Sequence, residues 1–286
     1  MIRSLLLSLA LFATPAAPEW ALTVVAPASL EPAAQRVRNL DAHILADALQ
    51  RAGLALPPRV HVTLIPEDDP RALSTPLWFV GRASGGGAII IFPDRVSSYP
   101  YDSLESVMRH EVVHLALNAG AGGRPLPRWF HEGVAVSIES GWEVGDRLRL
   151  TVASFTRPRL DDVTRLFASD AQPDTMEAYL LAAALLDELR RAHGAALPGR
   201  VAARVGRGVP FASAFEIETG ETPSQAAARA WRSYRQWASW MPLATSASAF
   251  WVLILAIAFV AFFVRLSKRA RRRRQWDDED ETHAHR

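Results

Sequence analysis

Leu243 to Val264, reading LATSASAFWVLILAIAFVAFFV, is a 22-residue stretch without one charge, and no other feature restricts this chain's folding as strongly. About 20 apolar residues suffice to cross the hydrocarbon core of a bilayer. Trp240 and Trp251 lie at or near its start, where indoles suit a membrane interface. Arg265-Leu-Ser-Lys-Arg-Ala-Arg-Arg-Arg-Arg274 follows at once, and positive residues hold the cytoplasmic flank of a membrane span. A basic run can also bind nucleic acid. Its place beside the apolar stretch makes a topology anchor touching anionic lipid the simpler account. The sequence thus predicts one transmembrane helix over 243–264 and a short charged cytoplasmic tail over 265–286.

Residues 1–21 read as a secretory signal. Arg3 gives a positive start, Leu5 to Ala13 an apolar run too short to span, and Ala13, Ala16 and Ala17 the small residues of a cleavage region. The competing reading is a buried N-terminal helix. Signal and stop-transfer helix together predict an extracytoplasmic body over 22–240. The expected localisation is the cell inner (cytoplasmic) membrane, single-pass, with that body on the periplasmic or extracytoplasmic side.

Charge supports the division. The chain holds 32 basic and 30 acidic residues; eight of the basic and five of the acidic lie beyond residue 264, leaving 24 and 25 in the rest. The body is therefore nearly neutral, and no nucleic-acid partner is expected. Cysteine is absent, which excludes a disulfide scaffold, a thiolate metal cluster and a cysteine nucleophile. With 49% hydrophobic residues the body can build a core without them.

Within the body, Leu22 to Ala26 predicts a short strand, and 31–52 a helix carrying Val37, Leu40, Ile44, Leu45, Ala48 and Leu49 at helical spacing, ended by Gly53. Arg59 to Ile65 alternates as a half-buried strand does. Strands over Pro76–Arg82 and Ala88–Phe92 follow, joined by a turn at Ser84–Gly87, the second being an edge strand. From Asp102 onward the chain reads as mainly helical, with one further strand at Arg147–Val152 and a last helix over Pro223–Ser239.

His110-Glu-Val-Val-His114 carries the chemistry. Asp102 and Glu105 are spaced as N-cap and N3 acids, and Gly120 is placed to end the helix. Histidines four apart project from one helix face, a turn apart. Such a pair can hold one Zn²⁺, with Glu111 beside it to take a proton from water. The bland alternative is two satisfied histidines on a helix face. A catalytic zinc needs a third protein ligand and an open position. The next helix, Pro127-Arg-Trp-Phe-His-Glu-Gly-Val-Ala-Val136, offers His131 and Glu132 near its start, and Gly133 where two helices approach closely.

HEVVH followed by WFHEGVA resembles the gluzincins, HExxH metallopeptidases with a downstream glutamate ligand. It is nearest in pattern to the aminopeptidase N-like and peptidase MA-like branches, whose second helix carries W-x-x-E-G-x-A. The resemblance implies His110, His114 and Glu132 as zinc ligands, with Glu111 as general base, and selects Glu132 over His131. It extends to Tyr179-Leu-Leu-Ala-Ala-Ala-Leu-Leu-Asp-Glu-Leu189, read as a helix with the tyrosine at its start. A tyrosine so placed donates to the developing oxyanion in related enzymes; otherwise Tyr179 is an ordinary core tyrosine. Ala88–Ile91 is similar to the edge strand on which these enzymes lay an extended substrate. The implied fold class is α+β, a small N-terminal mixed sheet followed by a helical zincin-like catalytic half, plus one C-terminal transmembrane helix.

Two departures from that pattern shape the expected activity. Val136 stands where the thermolysin-type branch has an aspartate, so the carboxylate that would orient a ligand histidine is missing; Glu139, two turns beyond Glu132, is either its replacement or a solvated helix end. The G-x-M-E-N amine-binding motif is absent, which favours endopeptidase action. The expected function is a membrane-anchored zinc peptidase acting on a peptide or protein substrate. The rival is a catalytically silent binding module on the same scaffold. Oligomeric state is not encoded in these motifs.

Overall fold

The computed structural model describes residues 20–96, 103–139, 158–169 and 171–232, with isolated positions at 254, 255, 259, 262, 263 and 265. The chain divides into two compact units, Met1–Trp231 and Arg232–Arg286. The architecture below is that of the first.

Four short strands form one mixed sheet: β1 (Ala21–Val25), β2 (Arg59–Leu64), β3 (Gly81–Ser84) and β4 (Ala88–Ile91), in the order β1-β2-β4-β3. β2 runs parallel to both β1 and β4, with Leu22 opposite Val60 and Val62 opposite Ile89. A parallel neighbour needs a crossover, since a tight turn can only reverse the chain. Helices α1 (Glu31–Arg38) and α2 (Ala42–Arg51) supply the first crossover. The expected single helix over 31–52 is broken because Asp41 caps a second one, its carboxylate accepting from the amides of His43 and Ile44 at 2.8 and 3.3 Å.

β3 and β4 form an antiparallel hairpin through Gly85–Gly87. Gly87 has φ +82°, and a Cβ there would lie 2.6 Å from the Arg59 carbonyl, so only glycine lets the turn pass β2. The expected edge position of Ala88–Phe92 is corrected. Among the described residues β4 is paired on both sides, and β3 ends the sheet beside it. The strand expected over Pro76–Arg82 begins only at Gly81. Before it, the short helix α3 (Pro70–Leu73) and a turn at Pro76–Phe79 present carbonyls inward to a side chain. That side chain is Arg95, buried, whose guanidinium donates to the carbonyls of Ala72 (2.8 Å), Pro76 (2.9 Å) and Phe79 (3.3 Å), and pairs with Glu67 at 2.5 Å. One fixed cation takes the place of a strand ladder.

The helical part comprises α4 (Leu104–Gly120), α5 (Arg128–Glu139), α6 (Leu160–Phe167), α7 (Gln172–His193), α8 (Leu197–Gly206), α9 (Phe211–Thr219) and a helical segment over 223–232. α4 is buried nearly all round, as a central helix must be. It packs against β3 and β4 as well as against α5. Its N-cap is Ser103, whose hydroxyl accepts from the Ser106 amide at 3.1 Å. Glu105 serves instead as a bidentate partner of Arg36 on α1, at 2.7 and 2.5 Å. Asp102 lies outside the described residues, as do the strand expected at 147–152 and all but the first part of the helix expected over 223–239.

α5 runs between α4 and α7. The close approach expected of Gly133 is to α7 rather than α4: a Cβ on Gly133 would stand 2.6 Å from the Ala182 carbonyl and 2.8 Å from Leu186 Cδ2. Trp129 and Phe130 pin the start of α5 through edge-on contacts with Phe211 at 5.8 and 5.2 Å. Leu181, Leu185, Leu186 and Leu189 of α7 are fully buried beside it.

The transmembrane part of the expected fold class is corrected. No helix among the described residues is long and apolar enough to cross a membrane. The longest, α7, has 22 residues but carries Asp174, Glu177, Asp187, Glu188, Arg190 and Arg191, charges that a hydrocarbon environment would penalise. Within 243–264 the described residues are isolated helical positions such as Ile254, Leu255 and Phe259, and the rest of that segment lies outside them. The single-pass membrane localisation rested on that span and is corrected with it. Residues 1–19 of the expected signal are also outside the described residues, and Ala21 is the first residue of β1, its amide donating to the Pro58 carbonyl at 2.9 Å.

Gly133→Ala tests the helix packing. In an open helix this change stabilises by up to about 1 kcal/mol; here overpacking against α7 backbone should outweigh that, for a net loss of about 1–3 kcal/mol. Thermal or urea unfolding of the variant beside the wild type reads the sign.

Candidate metal centre

His110 and His114 stand one turn apart on the mid-section of α4, their rings 4.7 Å between centroids. Glu132, in the second turn of α5, reaches both. Its Oε2 lies 3.2 Å from His110 Nε2 and 3.4 Å from His114 Nε2. One ligand atom from each residue falls within 4.8 Å of the others, a set that could hold a metal ion. Two imidazole nitrogens and a carboxylate oxygen suit a borderline ion such as Zn²⁺ and leave coordination positions open. The donor set therefore fits the group that the sequence implies.

The local sequence explains the convergence. Pro127 opens α5, its carbonyl accepting from the amides of Phe130 and His131. Glu132 thus falls in the second turn of the helix, beside Gly133, which lets α7 approach closely. The other carboxylate oxygen, Oε1, faces Arg128 Nε at 3.6 Å. Arg128 is held in turn by the Phe167 carbonyl at 2.5 Å, with its guanidinium carbon 5.0 Å from the centre of the Phe167 ring.

Electrostatics separates the two acids. Burial opposes ionisation of Glu132, yet the charge and hydrogen bonds of His114 and His110 hold its carboxylate well below the ordinary range. Burial pushes Glu111 the other way, upward, while the neighbouring histidines and the Ala83 backbone favour its charged form. Glu111 is 2% exposed and points at β3, where a Cβ on Gly81 would come within 3.3 Å of its Oε1. Its Oε2 is buried with no hydrogen-bond partner, a proton acceptor turned inward beside the ligands. The edge strand therefore seats the carboxylate, a role the sequence pattern alone did not reveal.

Tyr179 arrives from α7, in the second turn rather than at the start, with its ring 6.3 Å from that of His110. Burial and the nearby Glu132 carboxylate push its phenol well above the usual tyrosine value, so it keeps its proton and can donate. Phe167 stacks edge-on against it at 5.4 Å. His131 is not among the clustered ligand atoms; it sits behind His114, and burial pushes its imidazole down to about 4. Glu139 ends α5 and is placed only by its backbone.

His110, Glu111, His114, Arg128, Glu132 and Tyr179 line one open cavity of about 570 Å³. Trp78, Gly81, Arg82 and Ala83 form its sheet side; Gln172, Thr175 and Met176 belong to its α7 side. The residues that sequence reasoning missed are Arg128, which braces Glu132, and Gly81 and Ala83, which seat Glu111. Gly81 could have been noticed only by knowing which strand would lie at the sheet edge.

The chain matches no family model and no curated protein.

A ligand that binds only the folded state raises stability by mass action, by about 2.7 kcal/mol at one hundred times its Kd. Zn²⁺ should therefore raise the Tm of the full chain, and His114→Ala should abolish that rise. Differential scanning calorimetry with and without the ion makes the comparison.

Proposed function

We propose that this protein is a zinc-dependent peptidase of the gluzincin type that hydrolyses internal peptide bonds. The observation that carries the reading is the joint placement of His110, His114 and Glu132 within 4.8 Å, with the buried, unpartnered oxygen of Glu111 beside them on an open cavity.

A zinc ion held by the three ligands would supply Lewis-acid activation of water and of an acyl carbonyl. Glu111 takes the proton of the attacking water and returns it to the leaving amine. Its dry surroundings favour this exchange, because burial raises its proton affinity toward that of a general base. Tyr179 donates its phenolic proton in a hydrogen bond to the oxygen that becomes negative as the carbonyl is attacked. Arg128 holds the far oxygen of Glu132, keeping that carboxylate turned to the histidines. β3 lines the cavity and has no second strand partner among the described residues, so an extended peptide can lie against it by strand addition.

Glu111→Gln should leave metal content intact and lower peptide cleavage by at least about 10²-fold, the scale of general base catalysis. Elemental analysis and cleavage of a broad peptide mixture are read on the same preparation; undiminished cleavage would exclude the mechanism. Tyr179→Phe should lower kcat by about 10²-fold while KM changes little, as expected for a group that acts on the transition state.

A further inference from the structure

The sequence lacks the carboxylate that commonly orients a ligand histidine, since Val136 occupies that helical position. The structure sets an imidazole against His114 instead. His114 directs Nε2 toward Glu132 Oε2 at 3.4 Å, and its other ring nitrogen, Nδ1, lies 3.3 Å from Nδ1 of His131. The two rings are 5.4 Å apart between centroids and tilted by 50°.

We propose that His131 is the positioning residue of the candidate metal centre, accepting the Nδ1 proton of His114 and so holding that ring with Nε2 toward the ligand cluster. The inference rests on the metal-centre reading. The direction of the bond follows from valence. An imidazole that gives its Nε2 lone pair to a metal carries its proton on Nδ1, so His114 must donate there. His131 must then present an unprotonated Nδ1 and carry its own proton on Nε2. A metal-bound imidazole normally finds such an acceptor in a carboxylate, a carbonyl or water; here a second imidazole takes that place.

Helix geometry explains why one dipeptide does both jobs. Adjacent residues project about 100° apart around a helix axis. With Glu132 aimed between the two histidines of α4, His131 is carried round to the outer side of His114. The neighbouring residues of α5 therefore hold His114 by both ring nitrogens. The rotation of α5 that makes this work is fixed by Gly133 against Ala182 on the opposite side. A neutral acceptor also adds no third carboxylate to a buried site that already holds Glu111 and Glu132.

The test uses the full chain, stripped of metal and titrated with Zn²⁺ or Co²⁺ against a chromophoric chelator. His131→Ala should weaken the affinity about 10- to 100-fold while the visible spectrum of the cobalt form keeps its ligand set. His131→Asn, whose side-chain oxygen can accept the same proton, should restore most of the loss; His131→Leu keeps the bulk without an acceptor and stands in for alanine if that variant unfolds. Unchanged affinity in both the alanine and leucine variants overturns the proposal. So does a cobalt spectrum that has lost a nitrogen ligand, which would make His131 a ligand itself. If the wild-type chain takes up neither ion, the metal reading fails separately. In that case the proposal falls with it, because only a metal-bound Nε2 puts the His114 proton on Nδ1.

Discussion

The contact of α5 with the backbone of α7 at Gly133 and Ala182 is the constraint on which the rest of this structure depends. With no side chain at Gly133, the two helices close to a distance that fixes both the rotation and the height of α5. Glu132 then meets the two histidines of α4, and Tyr179 is delivered from the other side by the same pair of helices. The aromatic contacts of Trp129 and Phe130 with Phe211 hold the start of α5, so that the site is anchored at both its ends.

Burying acids in such a place is costly unless they are partnered. Glu132 meets the cost with two imidazoles on one oxygen and Arg128 on the other. Glu111 does not: one of its oxygens is left without a partner, and burial raises its proton affinity accordingly. Two neighbouring carboxylates thus differ in proton affinity because one is fully braced and the other only half so. Such a split is what the proposed chemistry asks of its two acids. The sheet takes part as well. Arg95 gathers the carbonyls before β3, which leads the edge strand to the position where Gly81 admits the Glu111 side chain.

Much of the site was legible because its information is local. HEVVH fixes the mutual placement of His110, Glu111 and His114 once that stretch is helical, and the helix is forced by burial and by a cap, although the cap is Ser103 rather than Asp102. The adjacent pair His131 and Glu132 was recognisable as ligand-type, and a resemblance chose between them. What could not be read was which of two neighbouring strands would lie at the edge, because β3 and β4 differ in pairing rather than in pattern. The same limit applied to the single helix expected over 31–52, which Asp41 divides, and to the strand over Pro76–Arg82, which yields to Arg95. The transmembrane helix expected over 243–264 was inferred from an uncharged run of spanning length, its tryptophans and its basic flank, and no described helix meets its requirements.

The sequence by itself determined the chemical types at the site and their order along two helices, since helical periodicity turns spacing into shared faces. The tertiary structure alone decided what stands behind several of those groups: α7 behind Gly133, the edge strand behind Glu111 and His131 behind His114. These partners are separated from one another by crossovers, turns and whole helices, or lie next to each other yet point apart. Only packing brings their side chains within hydrogen-bond reach, and it is packing that sets the proton affinities on which the proposed chemistry relies.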